Sequence, residues 1–580
     1  MQSLRASSLL AAISALLLTT ACGPAGAGES MGPADLVLRG GRIVTVDEAV
    51  PEARAMAVAD GRVVALGDER DIDRWVGPET EVIELDGRTA VPGFIESHGH
   101  FSGVGNAALQ LDLMDAASWQ DIVDLVAAAV AEAEPGELIR GRGWHQEKWN
   151  PPAEPNVDGM PFHDALSAVS PDNPVVLTHA SGHATFANAR AMEMAGITKD
   201  TPDPSGGEIV RDAEGNPVGA FRETASGLLG PARRGGGETD PRRVLELAQE
   251  EALSKGVTSF QDAGSGFGTV DLLKEMVDDG SLKIRMWVML RTSNRQLAER
   301  GAEYRMIGYG DQRLTVRAIK RGIDGALGSH GAWLLEPYAD LPTSSGLNTS
   351  SLEDLEETAR IAAELGFQLC VHAIGDRANR EVLDIFERTF EAHPTMEDPR
   401  WRIEHAQHLH PDDVPRFGEL GVIASMQGVH ATSDGPWVIE KLGEKRAREG
   451  AYVWQDLMAS GAIIVNGTDA PVEDVSPIES YYATVSRKME GGEVFFPAQR
   501  MSRMEALRSY TINPAYAAFE EDVKGSLSVG KLADVVELSR DILTVPKDEI
   551  PATEIVYTIV GGEVVYRRDD GMTASAAGGL

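Results

Sequence analysis

Eight short apolar runs along the middle of the chain, separated by segments with helical patterning, restrict the fold more than any other feature. They read VPGFIESHGHF, GVTSFQDAG, KIRMWVML, LTVRAIKRG, FQLCVHAI, WRIEHAQH, VIASMQG and AIIVNGTD. Apolar runs alternating with helices are the signature of parallel βα units, and eight such units make a (β/α)8 barrel. The active site of such a barrel gathers at the carboxyl ends of its strands. Polar, titratable residues fall where several of these runs finish, which favours a site at that end over plain packing.

The expected fold is therefore α/β: a (β/α)8 TIM barrel, carrying two additions. From His98 to Gly256 there are 158 positions (256 − 98), whereas a barrel of about 250 residues spends roughly 31 on each βα unit. The excess of about 125 residues must carry its own structure, so residues 103–237 are expected to form an insertion subdomain over the mouth after the first strand. The other addition comes from both termini. DLVLRGGRIVTVDEAVPEARAMAVADGRVVALGD near one end and EIVYTIVGGEVVYRR near the other are β-branched runs broken by Gly-Gly and Asp-Gly, which is hairpin chemistry. A small β-sandwich built from residues 35–90 and 525–567 is expected to flank a barrel domain spanning 91–524. Residues 23–34 read as a flexible linker and 568–580 as a flexible tail.

Charge narrows the partners. Among 580 residues, 53 Lys and Arg stand against 90 Asp and Glu, a net charge of −37, and neutralising nucleic-acid phosphates would need clustered basic residues. No nucleic-acid partner is expected. At the amino terminus, Arg5, an apolar run from Leu9 to Leu18 and small residues leading to Cys22 read as an export signal, too short for a permanent membrane span. The ending TTAC resembles a bacterial lipoprotein cleavage site, although Thr19 stands where a leucine is usual. Residues 1–22 are thus expected to direct export to the cell envelope, with Cys22 as a lipid anchor and the only contact with the membrane. An ordinary secretory signal is the alternative. Only Cys370 remains besides, so the mature protein has no disulfide to offer.

The residues that could do chemistry cluster at strand ends. His98 and His100 close the first run two residues apart, and on a strand such residues point the same way. Lys320 ends an otherwise apolar strand, where a cation is costly unless it is paired, shifted in pKa or chemically modified. His372, His405 and Asp469 end three further runs. Each alone could be a satisfied core residue, but coincidence does not explain all of them at one end of several strands.

VPGFIESHGH, DGALGSHGA, HAIGDRAN, RIEHAQH, NGTDAPVEDVSPI and SLSVGKLADVV together give the chain a resemblance to the amidohydrolase superfamily. The resemblance is to the YtcJ-like branch, which includes N-substituted formamide deformylases, and it extends from Asp35 to about Arg567. It implies that His98 and His100 hold the more buried of two divalent ions, zinc by expectation, and that His372 and His405 hold the second. Lys320, carboxylated by carbon dioxide, would bridge them. Asp469 would bind the buried ion and shuttle the proton as general base and then acid. With Lys320 unmodified the site would hold one ion. His183, with Trp144 and His145, is a candidate cap over the substrate or simply part of a packed lid. Asp324 and His330 are either partners that fix the metal ligands or the start of a helix. His408, His410 and His430 read as surface or supporting residues, His163 and His393 as surface, and Asp376 and Arg377 as local hydrogen-bonding groups.

The expected function is metal-dependent hydrolysis of a non-peptide carbon–nitrogen bond in a small amide or cyclic amide. Two alternatives stand beside it. A ring deaminase would usually place a glutamate close behind the fifth-strand histidine, and AIGDRAN after His372 has none. A lipid-anchored binding protein that had lost turnover would have no need to keep Asp469. The substrate and the oligomeric state are not legible in the residues.

Overall fold

The computed structural model describes residues 32–234 and 240–568. The expected export signal and Cys22 lie outside the described residues, as does the tail from 569 onward. Among the described residues no helix is long and apolar enough to cross a membrane.

All eight apolar runs form strands. They are β1 (Phe94–Gly99), β2 (Val257–Ser265), β3 (Arg285–Leu290), β4 (Leu314–Gly322), β5 (Gln368–Ala373), β6 (Arg402–His405), β7 (Ile423–Gln427) and β8 (Ile464–Gly467). Each pairs in parallel with the next in chain order. Every residue of β1, β3 and β5 is buried, because one face points into the barrel and the other lies against surrounding elements. Between β8 and β1 the barrel closes without a regular ladder. Just past β8 the Asp469 amide donates to the His98 carbonyl at 2.7 Å, and the His100 amide donates to the Ala470 carbonyl at 2.7 Å. The Glu96 carboxylate spans the same seam, accepting from the Thr468 amide at 2.9 Å and its hydroxyl at 2.8 Å. Gly467 makes room for that carboxylate, since a Cβ there would fall 2.1 Å from Glu96 Oε1.

The sandwich is also present. One sheet orders its strands Arg62–Gly67, Ala55–Ala59, Leu36–Arg39 and Glu81–Glu84. The other joins the termini: Thr89–Pro92 pairs antiparallel with Val535–Leu538, placing Val91 opposite Val536. Leu36, Met56, Val58 and Ile83 pack with Leu527, Val535 and Ile559 between them. Ala34, read from sequence as linker, is already buried, and its amide donates to the Trp75 carbonyl at 2.7 Å. The run VPGFIESHGHF is therefore two strands, one per domain, divided at Gly93.

The insertion folds around its own sheet, with strands Gly207–Arg211, Pro217–Glu223, Ala184–Ala187, Val175–His179, Ile139–Trp144 and Leu111–Asp112 in that order. A helix at Trp119–Glu132, started by the Ser118 side chain accepting from the Asp121 amide, packs against it.

Candidate functional site

β1 delivers His98, wholly buried, and His100, half-buried just beyond the strand. Both reach Asp469, whose Oδ1 lies 3.4 Å from His98 Nε2 and 3.2 Å from His100 Nε2. The alternation of a strand thus brings the two imidazoles to one carboxylate. β5 and β6 supply the next pair, with ring centroids of His372 and His405 4.4 Å apart and those of His98 and His405 4.6 Å apart. His183 from the insertion continues the arc at 5.0 Å from His372. His405 (φ 77°) and Asp469 (φ 58°) both lie in the left-handed region that non-glycine residues seldom adopt, and residues held so concentrate at functional sites.

Lys320 on β4 is buried with Nζ 3.3 Å from His98 Nε2. Burial lowers its pKa to about 8, outweighing the pull of Glu404 and Asp469. Asp469 is driven the other way: burial favours its neutral form, yet the close imidazoles of His100 and His98 hold it well below the usual carboxylate range. His372 and His405 are kept neutral, chiefly by burial, with pKa values well below the ordinary one. On the far side of His98, Nδ1 hydrogen-bonds Glu404. His405 Nδ1 is 2.8 Å from Gln427 Oε1. These partners fix which ring nitrogen faces the centre.

His98, His405 and Asp469 each offer a ligand atom, all within 4.8 Å of one another. Asp469 Oδ1 and His372 Nε2 are each buried without a hydrogen bond, a cost that a bound cation would remove; His372 lies outside the group of three whose ligand atoms converge. Neutral imidazoles beside an ionised carboxylate are the donor set that a divalent transition metal takes. The residues present fit a metal ion.

Of the supporting residues, Asp324 accepts from the amides of Trp333, Ile374 and Gly375 at 2.8 to 3.0 Å, and its Oδ1 is 3.4 Å from His372 Nε2. Its carboxylate satisfies backbone amides, but no helix starts at Asp324; two of those amides, at Ile374 and Gly375, instead precede the helix Asp376–Ala392. His183 Nδ1 is paired with Glu223 at 2.8 Å. His145 lies with His183, His372, His405, His430 and Asp469 around a small space of about 50 Å³. Two expectations fail. Trp144 is no cap: it is fully buried in the insertion core, with Nε1 donating to the Leu177 carbonyl at 3.1 Å. Its place on a strand turns it away from the cavity. His330 supports no metal ligand either, because its ring is engaged by Asp340 at 2.9 Å and Lys441 at 3.3 Å. His408 and His430 are buried rather than superficial.

Sequence reasoning missed Glu404, although it is a carboxylate inside the apolar run RIEH and the argument applied to Lys320 covers it equally. It missed Asp262 too, buried at the end of β2 and accepting from the Phe101 amide at 3.0 Å. A larger cavity of about 1060 Å³ opens over the strand ends, bounded by His100, Lys320, His372, His405 and Asp469 below and by the insertion above.

The amidohydrolase family model matches residues 81–566. The chain belongs to the amidohydrolase family. The putative amidohydrolase YtcJ of Bacillus subtilis is 31% identical over 92% of this chain and 99% of its own length. Protein LONG AFTER FAR-RED 3 of Arabidopsis thaliana is 34% identical over 92% of each chain. N-substituted formamide deformylase of Arthrobacter pascens is 28% identical over 92% of this chain and 98% of its own. The crystal structure of an uncharacterized metal-dependent hydrolase from Pyrococcus horikoshii superposes with a TM-score of 0.70 at 27% identity, covering 88% of this chain and 99% of that one. An amidohydrolase fold, with metal-dependent hydrolases among its neighbours, matches the chemistry of the donor set at the strand ends.

Proposed function

We propose that this amidohydrolase cleaves a non-peptide carbon–nitrogen bond of a small amide or cyclic amide, using His98, His100, Lys320, His372, His405 and Asp469 as metal-binding residues. The observation that carries the reading is the meeting of Asp469 with His98 and His100 beneath an open cavity. The relative named for formamide deformylation, similar over nearly its whole length, supports the choice of bond.

When bound, two zinc ions would lower the pKa of a water and polarise the scissile carbonyl. The remaining steps belong to the chain. Asp469, ionised and at the end of β8, takes the proton from the attacking water and returns it to the departing amine. Glu404 and Gln427 hold His98 and His405 in fixed tautomers. Lys320, with a pKa near 8, keeps an appreciable fraction of neutral amine at neutral pH, the form that carbon dioxide carboxylates. Carboxylation converts a costly buried cation into an anion suited to bridging two cations. The protein is proposed to act in the cell envelope, tethered through Cys22.

The test combines metal analysis of the purified protein with a screen of formamides, acyl amino acids and cyclic ureas. The expected result is bound zinc, hydrolysis of at least one class, and an Asp469→Asn variant that keeps metal while losing turnover. Hydrolysis that survives complete chelation, or binding without turnover that is undiminished in Asp469→Asn, would overturn it.

A further inference from the structure

The large cavity is lined by five arginines, Arg140, Arg142, Arg233, Arg291 and Arg321, in a chain whose net charge is −37. Arg140 and Arg142 lie on one strand of the insertion, with Arg233 beyond it. Arg291 follows β3, and Arg321 lies on β4 beside Lys320. Among the described residues none of the five is paired with a carboxylate. Arg142 donates only to the carbonyls of Pro471 (3.0 Å) and Ala180 (2.8 Å). Arg233 donates to the Thr185 hydroxyl at 3.1 Å, and Arg140 to the Arg233 carbonyl at 3.0 Å. Arg321 bonds Thr358, Asn294 and the Lys320 carbonyl. Arg291 is exposed to the cavity, and among the described residues no hydrogen bond engages its guanidinium. By contrast, the buried Arg285 and Arg402 face Asp534 at 2.8 Å and Glu404 at 3.2 Å.

The cavity's own carboxylates reach these charges only at long range, Asp469 toward Arg142 and Asp354 toward Arg321, and among the described residues none is hydrogen-bonded to them. Glu223 is held by His183, Asp324 by three amides, Asp469 by His98 and His100, and Asp354 by Asn294. Two of the arginines also crowd each other: after burial, the charge of Arg140 lowers the pKa of Arg233. Like charges gathered in a cleft without a directly paired carboxylate repel one another, and the field they focus favours an anion. Guanidinium forks match carboxylate geometry.

We propose that the substrate is an anionic amide, one bearing a carboxylate, as in N-acylated acidic amino acids, with the arginines of the two walls holding its charged ends. This rests on the hydrolase reading for turnover but not for binding. The test compares kcat/KM of the metal-loaded enzyme on N-acetylglutamate and on its dimethyl ester, and measures glutarate binding by calorimetry. N-acetylglutamate is expected to be favoured by about tenfold or more, from the strength of charged hydrogen bonds. In Arg291→Gln, and independently in Arg140→Gln, KM for the acid should rise more than KM for the ester, and glutarate should bind more weakly. Hydrolysis of the ester as well as or better than the acid, with no glutarate binding, would overturn the anionic substrate and leave the hydrolase standing. Glutarate binding that weakens in both variants, without hydrolysis of either compound, would uphold the anion site and remove N-acetylglutamate as the substrate, leaving the hydrolase reading to its own amide panel.

Discussion

Glu404 lies against Nδ1 of His98 with both side chains wholly buried, while the next residue, His405, leaves the strand in a left-handed conformation and turns its ring to the same centre. One short strand end thus supplies an imidazole and the group that orients another. Glu404→Gln is expected to weaken metal binding by about 10–100-fold, the usual effect of losing such a partner. Equilibrium dialysis against zinc reads this directly, and unchanged affinity would show that Glu404 serves only the core.

In the proposed two-metal site, Lys320→Ala should lose one metal, as counted by elemental analysis of the purified variant. Activity should return in part when acetate or propionate is added, because a small carboxylate can occupy the position of the carbamate. Normal stoichiometry in the variant would rule the bridge out.

In the metal-free, chelated protein, Lys320 titrates near pH 8 instead of 10.5. Between these values the unfolded chain binds the proton and the folded one does not, so stability rises with pH across the window, by about 3 kcal/mol in total. Below pH 8 both states are protonated and the dependence on this group vanishes. Urea unfolding of wild type and Lys320→Met from pH 7.5 to 10.5 checks this: the slope should be shallower in the variant, and identical slopes would refute it.

Trp144→Ala removes a large ring from the insertion core, where it packs against Trp149, His179 and Phe186. A loss of about 3–5 kcal/mol is expected by chemical denaturation. Relative rates across an amide panel should be retained at a permissive temperature, since the ring does not reach the cavity. A changed substrate preference with full stability would restore it to the cap.

Cys22→Ser should shift the expressed protein from the membrane fraction to the soluble fraction of the envelope. Unchanged partitioning would point to an ordinary secretory signal.

Much of the site was legible because burial makes polar residues conspicuous. Lys320 stands out in LTVRAIKRG, and His98 and His100 stand out in period two, for the same reason: strand interiors are otherwise apolar. Glu404 carries the same signal, masked by the histidine after it. Trp144 was misread because an aromatic residue beside a histidine in a polar stretch looks alike whether it faces a pocket or a core; only the pairing of Ile139–Trp144 with Val175–His179 settles which. His330 was misread because its partners, Asp340 and Lys441, are brought to it by separate segments.

The order of apolar runs determined the barrel, the excess length after the first strand determined the insertion, and the β-branched termini determined the sandwich, because each depends on local periodicity and spacing. Which residues share a cavity was decided only by the closed structure. Arg140 and Arg291 are 151 positions apart (291 − 140), yet line one space. No local pattern records that meeting, since it arises from the insertion, joined to the barrel only between β1 and β2, folding back over the carboxyl ends of the other strands.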